Sequence, residues 1–107
     1  MVARGDIDAA LDLLSPVGDL TVRKMMGGAS IYADGTIFAI LDRDGALYLK
    51  ASGDFAERLA HDGAEQFSHV RKDGRVGRMG YWTLPPDAVD DPDRTVALAR
   101  EALSHLD

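Results

Sequence analysis

The spacing of apolar residues is helical near both ends of the chain and strand-like over most of its middle. Residues 6–14 carry one apolar stripe, whose members recur at i, i+3, i+4 and i+7: Ile7, Ala10, Leu11 and Leu14. Ser15-Pro16 should end this first helix, because proline disfavours the α conformation in the residue before it. A first strand is then predicted over residues 20–26.

Residues 23–50 have the pattern of antiparallel strands joined by tight turns. Asp34-Gly35 separates two β-rich segments, 30–33 and 36–41. An Asp-Gly pair in that position predicts a type I′ turn, which needs positive φ at both central residues. The two glycines ahead of this hairpin, Gly27-Gly28, indicate a bulge, a sharp corner or another backbone passing close by.

A second turn over residues 42–45 leads to a short strand over 46–50. The side chains of that strand alternate between two unlike faces, with Leu47 and Leu49 on one and Tyr48 and Lys50 on the other. This alternation predicts a strand that buries one face only.

After this strand, the spacing of apolar residues is again typical of a helix. Residues 53–61 predict a second helix, with Ser52 as its N-cap and Gly63 as its left-handed C-cap. Ser52 is suited to the cap because its hydroxyl can accept a hydrogen bond from the first turn.

A second hairpin is predicted over residues 66–72 and 76–84, around Asp73-Gly74. The last helix should begin at Asp91 as N-cap, with Pro92 in the first helical position. Its predicted buried stripe consists of Val96, Ala99, Leu103 and Leu106.

The order of these elements is helix, three or four strands, helix, two strands, helix. This order predicts an α+β fold with two layers, in which helices pack on one face of an antiparallel sheet of about five to six strands. At 107 residues, the chain should form a single domain over residues 1–107.

Composition narrows the classes of function. The chain has a net charge of −6, which weighs against direct binding to nucleic acid or to an anionic membrane by most of its surface. It has no cysteine, no signal-peptide pattern at its start and no apolar run long enough to cross a bilayer. We therefore expect a soluble cytoplasmic protein.

No arrangement of reactive side chains predicts catalysis or a bound metal. The three histidines, His61, His69 and His105, lack a second ligand at metal-site spacing, and only His69 is kept as a weak site candidate. Asp90-Asp91 could serve acid/base catalysis or a cation site, but helix capping explains Asp91 and Asp93 directly and is favoured. Gly27-Gly28 fits neither phosphate-binding pattern. The expectation is a protein that is not an enzyme and has no cofactor and no metal.

Four cations crowd the second hairpin and oppose the overall charge. With Asp73 they give a local charge of +3, from +4 and −1, and they are Arg71, Lys72, Arg75 and Arg78. One interpretation is a solvated hairpin tip whose charges protect a sheet edge from mispairing. The other is a docking surface for an acidic partner or a phosphate backbone, near the aromatic residues Phe67, Tyr81 and Trp82. Tyr81 and Trp82 are adjacent on a strand and should face opposite ways.

A second candidate patch lies in the first strand, at Arg23, Lys24 and Met26. The plainer interpretation of this patch is an edge strand with alternating exposure. The alternative is that its side chains contact a partner.

The central stretch also carries the residues of a known family pattern. These are Lys24-Met25, Gly27-Gly28, Ile31-Tyr32, Asp34-Gly35, Phe38-Ala39, Leu41 and residues 45–50, followed by Met79, Tyr81-Trp82, Leu84-Pro85, Asp90-Asp91 and Ala102-Leu103. In this pattern the chain resembles the N-terminal domain of the TfoX/Sxy competence-regulator family, from about residue 15 to the end. Long members of that bacterial family carry a second, helical C-terminal domain, and we expect this chain, which ends at Asp107, to represent the N-terminal domain alone.

The resemblance implies a non-enzymatic module that helps to switch on genes for DNA uptake, through a protein partner such as the cyclic-AMP receptor protein. The alternative is a nucleic-acid-binding module that uses the basic hairpin over residues 71–78. A third possibility, a small enzyme with a pocket between sheet and helices, lacks a nucleophile–base pair in the sequence. Exposed strand edges also leave a homodimer open.

Overall fold

In a computed structural model, the chain is described over residues 1–25 and 27–106, apart from the side chain of His69. The described residues form three helices, α1 to α3, and six strands, β1 to β6. In chain order these are α1 Arg4–Leu14, β1 Leu20–Met25, β2 Gly28–Ala33, β3 Thr36–Leu41, β4 Leu47–Lys50, α2 Gly53–His61, β5 Gln66–Val70, β6 Val76–Thr83 and α3 Pro92–Ser104. A short 3₁₀ turn over Ser15–Val17 follows α1, where the proline was predicted to end the helix.

The six strands form one antiparallel sheet in the order β1-β2-β3-β4-β6-β5. Neighbours in sequence are neighbours in space from β1 to β4. The segment containing α2 then carries the chain past β6, so that β5 lies at the outer edge and β6 pairs with β4. The predicted α+β class and the antiparallel sheet with helices on one face are confirmed.

The predicted turn at Asp34-Gly35 is also confirmed. Asp34 has φ of 50° and Gly35 has φ of 87°, so both central residues of the β2–β3 turn are left-handed. At Gly28 the chain passes so close to β3 that a Cβ atom would collide with the carbonyl oxygen of Leu41. Close approach of another backbone therefore explains this glycine.

The helix ends follow the sequence with one exception. The Asp91 carboxylate accepts a hydrogen bond from the backbone N–H of Arg94 at 3.1 Å, and Gly63 ends α2 with φ of 100°. Ser52 occupies the N-cap position of α2, but its side chain makes no capping hydrogen bond, so that prediction is wrong. The first residue of α2, Gly53, has φ of 57° and brings the chain into the helix through a left-handed conformation.

The buried stripe of α3 differs from the predicted one. Only Ala99 is common to both, and the fully buried residues are Thr95, Leu98, Ala99 and Ala102. The stripe is rotated because the loop before α3 packs on the helix: the Thr95 hydroxyl donates to the carbonyl oxygen of Ala88 at 2.8 Å. Val96, Leu103 and Leu106 are half-buried at its flank.

The helices cover one face of the sheet. Helix α3 contacts β3 and β4, α2 contacts β6, and α1 packs against α3. Strand residues that face them are small or aliphatic, as the sheet contributes Ala29, Ile31, Ala33, Ala39, Leu41 and Leu49 to the core. A bulge opposite Ile31 and Tyr32 leaves Phe38 without a partner in β2, and Phe38 joins Ala39 in the core. Among the described residues, no helix has the length and hydropathy needed to cross a membrane.

Candidate interaction surfaces

The two predicted basic patches lie at opposite edges of the sheet. Arg23 and Lys24 belong to β1, and the cations at 71–78 surround the turn between β5 and β6. Strands β1 and β5 are the two outermost of the six, five strand spacings apart, which corresponds to about 24 Å. The fold therefore does not bring the two patches together.

Arg23 and Lys24 point to opposite faces of β1. Arg23 is paired with Ser30, and its guanidinium lies 5.7 Å from the centre of the Tyr32 ring, within cation–π range. Lys24 is on the other face and, with Met1, Val2, Gly27 and others, lines a cavity of about 250 Å³. Met26, the third residue of this predicted patch, lies outside the described residues.

All four cations of the second hairpin are exposed: Arg71, Lys72, Arg75 and Arg78. Arg75 pairs with Asp73 at 3.6 Å, and both groups are in solvent, where such a pair contributes little to stability. Val70 and Val76 at the same end of the hairpin are 73% and 62% exposed. The hairpin thus projects beyond the core, and its role as a docking surface stays a prediction.

The aromatic residues near that hairpin do not form a common surface with its cations. Tyr81 and Trp82 face opposite sides of the sheet, as predicted: Trp82 pairs with the core residue Leu49, while Tyr81 pairs with Lys50. Phe67 packs edge-on against Tyr48, with ring centres 5.0 Å apart. The aromatic rings therefore belong to the body of the sheet and not to the hairpin tip.

The structure adds a surface that the sequence did not reveal. On the side of the sheet away from the helices, strand pairing brings together all three tyrosines, Tyr32, Tyr48 and Tyr81, from strands distant in sequence. We call this the open face, and its members include Arg23, Met25, Ser30, Tyr32, Ile37, Ile40, Tyr48, Lys50, Phe67 and Tyr81. Among the described residues, no helix packs on it.

Large side chains shield the centre of the open face. Ile40 and Ser30 are each only 2% exposed, and Tyr81 is 8% exposed, although Ile40 and Tyr81 lie outside the helix-side core. Burial, and secondly the neighbouring Tyr32, raises the pKa of Tyr81 above its usual 10.0. Burial also raises the pKa of Tyr48, followed by the charge of Asp42, whose carboxylate accepts a hydrogen bond from the Tyr48 hydroxyl at 3.3 Å. Both phenols are thus uncharged near neutral pH.

Acidic and basic side chains are distributed differently between the strands and the rest of the described chain. Within the six strands there is no Asp or Glu, and the charged residues are Arg23, Lys24, Lys50 and Arg78. Every carboxylate side chain of the described residues lies in a helix, a turn or a loop. The open face therefore carries Arg23 and Lys50 without any carboxylate from its own strands, on a protein whose net charge is −6.

The two histidines whose side chains the structure describes, His61 and His105, lie in different settings. His61 is exposed, and His105 stacks on Phe55 with ring centres 5.3 Å apart. The backbone of His69 pairs with Gly77, and its side chain lies outside the described structure. Among the described side chains, which exclude that of His69, no three His, Asp or Glu residues are placed to hold a metal ion.

Comparison with known proteins covers most of the chain. Residues 12–106 match the profile of the family described as the TfoX N-terminal domain. The chain is 23% identical over 94 residues to the DNA transformation protein TfoX1 of Aliivibrio fischeri. That alignment covers 88% of this chain and 44% of the relative, so the chain spans less than half of the relative's length.

Proposed function

The chain belongs to the TfoX N-terminal domain family, and we propose that it is a non-enzymatic module that regulates competence genes by binding another macromolecule. The observation that carries this proposal is the family match over residues 12–106, because the relative is named for DNA transformation. The structure supports the proposal because residues of the family pattern have structural roles. Gly28, Asp34-Gly35, Phe38 and Leu49 build turns and core, so they maintain a scaffold and not a reactive site.

The proposal extends to a protein partner in the cytoplasm. A transcription factor such as the cyclic-AMP receptor protein is the partner that the family resemblance implies. The acidic net charge of −6 supports a protein over a nucleic acid as the direct contact, because phosphate backbones are repelled by such a chain.

A promoter assay tests this function. A competence promoter that depends on the cyclic-AMP receptor protein would be fused to a reporter in a strain that lacks TfoX-type proteins. Expression of this chain should raise reporter output, and the rise should disappear when the receptor protein is deleted. Reporter output that does not respond to the chain would contradict the proposal.

The exposed hairpin over residues 71–78 favours a second candidate, direct nucleic-acid binding. Its local charge of +3 would contact phosphates, so binding should weaken with salt and be lost in Arg75→Glu/Arg78→Glu. The matched control is Arg4→Glu/Arg100→Glu, which makes the same charge change on the helix layer. Equal mobility of labelled DNA with and without the protein at low salt would exclude this candidate.

A further inference from the structure

We propose that the open face binds an acidic segment of the partner protein, one that interleaves carboxylates with apolar side chains. Arg23 and Lys50 would receive the carboxylates, and Met25, Tyr32 and Tyr48 would pack against the apolar side chains. This inference rests on the proposed function, because it names the chemistry of the partner that such a module binds.

The first argument is the composition of the open face. An antiparallel sheet covered on one side usually carries polar residues on its solvated side. Here the uncovered side holds three tyrosines, two isoleucines and Met25, of which Ile40 and Tyr81 are buried and Met25 is 38% exposed. Tyrosine and methionine are enriched at protein interfaces, because they bury a large apolar area and tyrosine keeps a polar tip.

Charge complementarity indicates the sign of the charge on the partner segment. The strands of the open face contribute Arg23 and Lys50 and no carboxylate. Three carboxylates lie near Tyr48 at the rim of the face, those of Asp42, Asp44 and Glu65. Asp42 accepts hydrogen bonds from Tyr48 and from the backbone N–H groups of Asp44 and Ala46. Carboxylates of an incoming segment would therefore pair with Arg23 and Lys50, the two cations that the strands place on this face.

The size of the face indicates the length of that segment. Five strand spacings give a width of about 24 Å. A helix of about 16 residues, or an extended segment of about 7, crosses that width. The partner region is thus a short segment and not a whole domain.

Two other occupants fit less well. A single-stranded nucleic acid would gain about two phosphate contacts from Arg23 and Lys50 and would be repelled by the net charge of −6. A second copy of the chain, joined symmetrically through this face, would bring the same two cations of each copy into one interface. Both occupants remain outcomes of the test below.

Selection from a peptide library tests the inference. The intact protein would be used to select from random peptides of about 16 residues displayed on phage. We expect the selected peptides to be rich in Asp and Glu alternating with apolar residues. Binding of the best peptide should weaken about tenfold or more in Arg23→Glu/Lys50→Glu and weaken with added salt.

Controls separate a lost surface from a lost fold. Arg4→Glu/Arg100→Glu makes the same charge change on the helix layer and should bind as the unmodified protein does. Met25→Glu removes an exposed apolar contact from the open face and should also weaken binding, since glutamate repels the acidic peptide. Circular dichroism would verify that each variant is folded.

The opposite results would overturn the inference. These are peptides without acidic enrichment, binding that survives both open-face variants, or an open face that binds a thymidine oligonucleotide or a second copy instead. If Arg23→Glu/Lys50→Glu still activates the competence promoter, the proposed function stands and this inference fails. If the unmodified chain does not activate the promoter, the proposed function itself fails.

Discussion

Single residues in this protein are constrained mainly by contacts between strands. Gly28 lies where β2 and β3 approach so closely that no side chain fits, and Ile40, between Ser30 and Tyr48 in the sheet, is only 2% exposed. Substitution of a single residue at such a contact should therefore change the free energy of unfolding measurably.

Gly28→Ala should destabilise the fold by about 3 kcal/mol, because the new methyl group must push β3 away through the carbonyl oxygen of Leu41. Chemical unfolding in urea measures this change. Gly5→Ala is the matched control: no atom lies within 4 Å of the added carbon, and alanine in a helix should be neutral or stabilising by up to about 1 kcal/mol. Equal stability of both variants would contradict the close approach.

Ionisation of the tyrosines gives a second prediction at this scale. The folded-state pKa of Tyr81 is raised, so the unfolded chain releases this proton first, at its usual 10.0. Stability should accordingly be fully present below pH 10.0 and fall as pH rises through the raised pKa. In Tyr81→Phe, the loss of stability that comes from ionisation of Tyr81 should be absent. A spectroscopic titration in which all the phenols ionise together at the usual pKa would contradict the burial of Tyr81.

At the scale of elements, the ends of α2 and α3 are fixed in different ways. Helix α3 begins with a side-chain cap from Asp91, and α2 begins with a left-handed glycine and ends at Gly63. The ion pair between Arg58 and Glu101 connects α2 to α3.

Asp91→Ala should lower the free energy of unfolding by about 1 kcal/mol, because it removes the cap of α3. Ser52→Ala at the matching position of α2 should have little effect, since the Ser52 hydroxyl makes no capping bond. Thermal unfolding of both variants tests the contrast. A larger loss for Ser52→Ala than for Asp91→Ala would be inconsistent with the described helix ends.

The elements were largely predictable because their signals are local. Asp34-Gly35 needs only its own φ values to form a turn, and Asp91 and Pro92 mark the start of α3 by chemistry within one helical turn. Ser52 shows the limit of such signals, because a residue suited to a cap does not form one when the next residue is left-handed. The stripe of α3 was misplaced because the packing of the preceding loop, through the Thr95–Ala88 hydrogen bond, is not visible in the spacing of apolar residues.

The open face was not predictable, for a physical reason. Its tyrosines come from β2, β4 and β6, and the pairing of β4 with β6 depends on how the segment containing α2 crosses over. Sequence alternation gave the two faces of β4 correctly but could not tell that β6 would place Tyr81 beside Lys50. The basic patches were visible only as clusters of charge, and the fold separates them.

At the scale of the whole molecule, the two layers have different charges. Among the described residues, the helices, turns and loops hold every carboxylate side chain together with most of the cations, while the charged residues of the strands are all cations. The protein is acidic overall, but the charged strand residues of its open face are cations. An acidic partner would therefore be attracted by those strand residues. This sorting makes the open face, and not the hairpin over residues 71–78, the surface that we connect with a protein partner.

The most direct test is a nuclear magnetic resonance titration of the isotope-labelled chain with purified cyclic-AMP receptor protein. Our account predicts that amide signals broaden or shift in a contiguous set centred on Arg23, Tyr32 and Lys50, while signals of α1 and of residues 71–78 stay in place. Changes centred on the hairpin or the helix layer, or a spectrum that the receptor protein leaves unaltered, would contradict it.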